Sequence, residues 1–217
     1  MGSAIPPAAE RPAGARLHVG CGRERLEGWV NIDFQAYPGV DVVADVTKGL
    51  EFREAEAVYA EHFLEHLTID QALDFLLESH RALREGSRIR LSTPNLDWVW
   101  ATHYALEEDP QLEDDRRQRM ALHLNRAFYG WEHRFLWNRP LLERALEACG
   151  FTGIEWPAYG ESRHELFRGI ERHEPYQDLP DLPHVLIVEA EKGPPAPEAL
   201  DSLRRLIRSE LLDHLKG

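Results

Sequence analysis

Apolar positions along the chain follow two different rhythms. Short β-branched or aromatic runs come first: residues 16–19 (RLHV), 29–33 (WVNID), 40–46 (VDVVADV) and 56–60 (EAVYA) each read as a strand, with only short loops between them. The period then changes. Ile69, Ala72, Leu73, Leu76, Leu77, His80 and Leu83 share one helical face, Thr68 and Gln71 form a capping box ahead of them, and Gly86 stands where a terminating glycine belongs. A fifth strand, 88–92 (RIRLS), runs into Thr93-Pro94-Asn95, where the proline ends regular pairing.

Residues 97–138 have another character. Acids crowd 107–115, Met120, Leu124, Ala127 and Phe128 recur at helical spacing, and aromatics fill the stretch up to Trp137. This is expected to be a helical insertion after strand five that covers the acceptor side of a site. Helix signals return with Asn138 as cap, Pro140 in the first turn, Leu141, Leu142, Ala145 and Leu146 on one face, and Gly150 as terminator. Residues 151–156 and 184–192 are the last two strands. The segment between them, 157–183, is too long for a structureless connection, and its mixed-charge stretch 161–174 (ESRHELFRGIERHE) reads as a lid or wall over a site, or as a solvated helix. From Pro197 onward Leu200, Leu203, Leu206, Ile207, Leu211 and Leu215 make an amphipathic C-terminal helix over 197–216. Its stripe must be buried on its own domain or on a second copy, which would make a homodimer.

Composition narrows the function. With 217 residues and 43% hydrophobic content the chain can build one domain with a sizeable core. A net charge of −13 and a pI near 5.3 repel phosphate backbones, so a small-molecule substrate is expected rather than nucleic acid. Cys21 and Cys149 are too few for a disulfide framework and have no metal-type spacing, which suggests a reducing compartment. The Pro- and Ala-rich stretch 1–14 reads as a flexible leader, with neither a signal peptide nor a membrane span, so a cytoplasmic protein is expected.

The first strand ends in Gly20-Cys21-Gly22 and the second in Asp33. Glycine lets backbone approach a nucleotide-like ligand closely, and an acid after the next strand can accept both ribose hydroxyls. Asp33 follows Gly22 sooner than in a dinucleotide site and Arg25 replaces the third glycine, which argues against a pyrophosphate cradle. The succession LHVGCG, GWVNID, VVADV and VYAEHFLEHL resembles the class I S-adenosylmethionine-dependent methyltransferases over residues 16–96, and more loosely to residue 192. The resemblance implies an α/β, Rossmann-like three-layer sandwich over 15–193, with a seven-stranded, mostly parallel sheet whose last strand is reversed. It also implies S-adenosylmethionine as cofactor, with Gly20, Cys21 and Gly22 around its methionine moiety, Asp33 on the ribose, Asp45 near the adenine amino group, and Glu61 and His62 facing cofactor and acceptor. His18 departs from the acid often found before the glycines.

His62, Glu65 and His66 spell H-x-x-E-H, read alone the zinc signature of an inverted metallopeptidase. Here the motif follows a strand and precedes a capping box, leaving no room for the helix a peptidase needs. Within methyltransferases it is either the entrance to a helix, or similar to the E-x-x-E-H metal motif of ubiquinone-biosynthesis and small-RNA 2′-O-methyltransferases. His133, in a WEHRFLWNR segment after strand five, matches the fourth ligand of the latter. That likeness implies His62, Glu65, His66 and His133 around a divalent ion, with a donor set suited to Zn, Mn, Fe or Ni. The expected activity is methyl transfer to oxygen on a small molecule or sugar, with His62 or His133 as base where no metal acts. An RNA 2′-O-methyltransferase and a non-catalytic cofactor-binding protein are the alternatives.

Overall fold

The computed structural model describes residues 13–103, 114–173, 178–179 and 181–213. Most of the leader, Tyr104, the acids at 107–113 and the tail residues 214–216 lie outside the described residues. Seven strands, β1 (Arg16–Val19), β2 (Val30–Asp33), β3 (Val42–Val43), β4 (Ala55–Glu61), β5 (Leu83–Pro94), β6 (Phe151–Glu155) and β7 (Val185–Lys192), form one sheet in the order β3-β2-β1-β4-β5-β7-β6. All run parallel except β7, which lies antiparallel between β5 and β6. The α/β fold, the seven strands and the reversed last strand are as expected.

Period-two alternation gives the sheet two faces. Leu17, Val19, Val58, Ala60, Ile89, Leu91, Val188 and Ala190 point into the main core, where they meet α1 (Ile69–Ala82), α4 (Arg139–Ala148) and α5 (Pro197–Ile207). The alternate residues His18, Tyr59, Arg90 and Glu189 are buried on the opposite face. That face is covered by coil around Leu26 and by the 160–173 segment, whose Phe167 and Ile170 pack with Tyr59. Between β1 and β4 the only helix is a single 3-10 turn, Val46–Lys48.

The predicted caps hold α1 and α4: Thr68 and Gln71 close a reciprocal capping box, and the Asn138 side chain accepts the Leu141 N–H. Three boundaries differ. Gly86 does not terminate α1, which ends at Ala82 and passes straight into β5; Gly86 sits with φ +75° where the β4–β5 register shifts between Ala55 and Ala57. The third strand shrinks to two residues because the Asp45 carboxylate caps the 3-10 turn that follows. The insertion forms α2 (Leu96–His103) and α3 (Asp114–Tyr129), with a small core of its own at Val99, Ala127 and Leu136. Leu203 and Ile207 of the C-terminal stripe are buried in the main core and Leu200 and Leu206 pack against it, whereas Leu211 is exposed; the helix continues as a π-helical turn over Arg208–Leu212. No helix among the described residues is long and apolar enough to cross a membrane.

Candidate active site

A cavity of about 820 Å³ opens at the C-terminal ends of β1, β2 and β4. Gly20 and Gly22 border it from the first loop, Asp33 and Phe34 from the second, Asp45 from the third, and His62 and His66 from the fourth. Gly20 has φ +66°, and a Cβ there would lie 2.4 Å from Phe63 Cδ2, so both backbone conformation and crowding exclude a side chain. Gly22 donates its N–H to Asp33 Oδ2 at 2.9 Å, and Gln35 N donates to Oδ1 at 2.9 Å. The carboxylate is thereby locked in orientation, with lone pairs left over for a ligand.

Not every expected cofactor residue reaches this cavity. Cys21 is buried behind the turn, and burial first, with Asp33 nearby, pushes its thiol up to about 11. His18 lies on the opposite sheet face, bonded to Asn31 Oδ1 at 3.1 Å and stacked on Tyr59. Glu61 turns the same way. Its carboxylate accepts the backbone N–H groups of Arg172 (3.0 Å) and His173 (3.1 Å) and is bonded to His173 Nδ1. Burial alone would raise this carboxyl, but the bonds from His173 and Arg172 outweigh it and hold it at about 2. Because the folded value lies below the ordinary 4.5, the stabilisation is present above pH 4.5 and fades as pH falls toward 2. Glu61→Gln should therefore cost roughly 3 kcal/mol at pH 7, and the gap from wild type should close in acid. Urea unfolding at pH 7 and pH 3 checks this; a pH-independent gap would mean that the charge plays no part.

The H-x-x-E-H residues sit on the turn leaving β4, with His62 at φ +46° and Leu64–His66 as one 3-10 turn. No α-helix carries the motif, which removes the geometry an inverted peptidase requires. Glu65, His66 and His133 come together, with one ligand atom from each lying within 4.8 Å of the others. His133 arrives because Arg134 and Phe135 donate their N–H groups to the Glu65 carbonyl at 2.7 and 3.2 Å. Its Nδ1 is bonded to the Ala127 carbonyl at 2.7 Å, which leaves Nε2 as the lone-pair nitrogen. His62 stands outside this trio: its Nδ1 is 2.9 Å from Glu65 Oε1, while Thr93 Oγ1 donates to Oε2 at 3.0 Å. Glu65 is fully buried between them.

Sequence reasoning missed several residues here. Gln71, Glu132 and Arg134 also border the cavity, contributed by a capping box and by the far end of the insertion. A second cavity, of about 640 Å³, lies beside the start of β7 and is lined by Asp97, Trp156, Tyr159 and His173 among others. His62 borders the first cavity and His173 the second, and their rings meet edge-on at 4.7 Å. The only hint of His173 was its place in the charge-mixed 161–174 stretch.

No protein-family description matches the chain, and no curated protein matches it in sequence. Among solved structures it is similar to an S-adenosylmethionine-dependent methyltransferase from Archaeoglobus fulgidus, at 16% identity and a TM-score of 0.52 over 83% of this chain and 86% of that one. A second such methyltransferase, from Thermotoga maritima, matches at 14% identity and a TM-score of 0.50 over 85% and 84% of the two chains. With strand order 3-2-1-4-5-7-6 and a reversed seventh strand, the fold of this chain is that of the class I S-adenosylmethionine-dependent methyltransferases.

Proposed function

We propose that this protein binds S-adenosylmethionine in the larger cavity and methylates an oxygen of a small molecule or sugar. One observation carries the reading: Gly20, Gly22, Asp33 and Asp45, spread over three loops, border a single cavity whose rim also holds His62 and His66. The open space over Gly22, where a Cβ would meet nothing within 4 Å, suits close approach of a ligand, and the locked Asp33 carboxylate suits a pair of vicinal hydroxyls. When bound, the cofactor supplies a methyl group activated on a sulfonium. The chain's task is to hold the acceptor in line with it and to remove a proton.

Glu65, His66 and His133 would hold a divalent ion. Two imidazoles and one carboxylate suit Zn, Mn, Fe, Co or Ni better than Mg, and the Ala127 carbonyl presets the His133 tautomer. Such an ion would supply positive charge beside the acceptor oxygen. His62 then acts on Glu65 by orienting its carboxylate, rather than as a fourth ligand.

Calorimetry with S-adenosylhomocysteine tests the cofactor assignment. Asp33→Ala should weaken binding by about 1.5–3 kcal/mol, since hydroxyls lose a charged acceptor, and Asp33→Asn should fall between. Equal affinities would remove Asp33 from the site. Binding without turnover on any acceptor would point instead to a non-catalytic cofactor-binding protein.

A further inference from the structure

His173 belongs to no motif, yet several bonds fix its position. Glu61 takes its backbone N–H and its Nδ1, and the Tyr159 hydroxyl donates to its carbonyl at 2.5 Å. With Nδ1 committed to a carboxylate, the neutral form of the ring presents its lone pair on Nε2. That nitrogen is buried and has no hydrogen-bond partner among the described residues, an arrangement that costs free energy unless a ligand completes it. The ring lines the second cavity and touches His62, which lines the first, so these two side chains form the boundary between the cavities.

We infer that the second cavity holds the body of the methyl acceptor, with the reacting atom at the His62–His173 boundary, and that His173 Nε2 takes its proton. This rests on the methyl-transfer reading above. Among the described residues, Asp97, Asp178 and Asp181 line the cavity against one Lys or Arg, Arg139, which is itself stacked on Trp156. A phosphate or carboxylate acceptor is therefore disfavoured, and a hydroxyl- or amine-bearing small molecule fits. In the step, an acceptor O–H or N–H gives its proton to Nε2 and its lone pair forms the new bond to the methyl carbon. The carbon–sulfur bond breaks with its electrons staying on sulfur, which becomes a neutral thioether. The imidazolium is paired with the Glu61 carboxylate until it releases the proton to water.

Two measurements on the full-length protein test this. In ring-15N spectra of the S-adenosylhomocysteine complex, the His173 Nε2 resonance should shift on adding catechol, methyl α-glucopyranoside or putrescine. No shift with any of these probes overturns the cavity assignment. Turnover with whichever probe reacts should fall about 100-fold or more in His173→Ala while S-adenosylhomocysteine affinity stays within twofold, and added imidazole should restore part of the turnover. Ala158→Trp, which fills the cavity and spares His173, should lose turnover as well and keeps the test open if His173→Ala fails to fold. Undiminished turnover in either variant overturns the inference. Failure of wild type to bind S-adenosylhomocysteine would instead overturn the reading on which it rests.

Discussion

Arg90→Met should destabilise the protein by about 3–5 kcal/mol, although Arg90 touches neither cavity. Its guanidinium is fully buried on the coil-covered face of the sheet, bonded to Glu171 through Nε at 2.7 Å and through Nη2, and to Glu189 through Nη1. Removing it leaves two carboxylates in a site closed to water, a larger loss than the attraction itself. Glu171 spends its other oxygen on the Gly160 N–H at 3.1 Å, so the same change should loosen the whole 160–173 segment. Urea denaturation measures the first effect. Hydrogen exchange confined to 160–173 measures the second, at urea concentrations well below the transition. Adding Glu189→Leu to Arg90→Met should recover part of the stability, because one of the stranded charges is gone. A variant with the wild-type midpoint would show that the triad holds nothing in place.

The second large effect is expected at Glu65. Glu65→Gln keeps the shape of the side chain but loses the charge that meets His62 and that, on the proposed reading, would attract a divalent ion. Cobalt affinity, read from its visible absorption, should drop at least about 100-fold, since changes even to a ligand's outer partners cost 10–100-fold. Chelation of the wild type should likewise stop turnover while leaving S-adenosylhomocysteine binding in place. If wild type and variant take up cobalt equally weakly, the 5.2 Å contact between the His66 and His133 rings is packing and the turn is only the entrance to α1.

What could be read from the sequence follows from how local each signal is. The Gly20–Gly22 turn, Asp33, the capping box of α1 and the Asn138 cap all rest on contacts within about a dozen residues, and each appears in the structure at its expected place. His133 was legible because its segment matches a pattern, although its partner Glu65 is far away in the chain. Glu61 and His173 were not. Alternation along β4 gives Glu61 the face of Tyr59, but what waits there is a segment over a hundred positions later, held by backbone N–H groups that no composition reveals. His62 carries a further lesson. Helical spacing would turn it toward Glu65 and His66 as a third donor, but its φ of +46° breaks the helix before it begins, so only the side-chain bond to Glu65 Oε1 survives.

The antiparallel seventh strand has a consequence for the order of assembly. β6 is paired with β7 alone, so β6 has no place on the sheet until β7 has wedged itself against β5. The chain from α2 through His133 to the 160–173 segment lies between β5 and β7 and is closed off as one long loop by that last pairing. Strands β1 to β4 connect through short loops and can pair early, whereas a loop of this length closes late because so many residues must be ordered before its contacts form. During synthesis β1 to β4 can therefore pair before the strand that closes this loop has emerged from the ribosome.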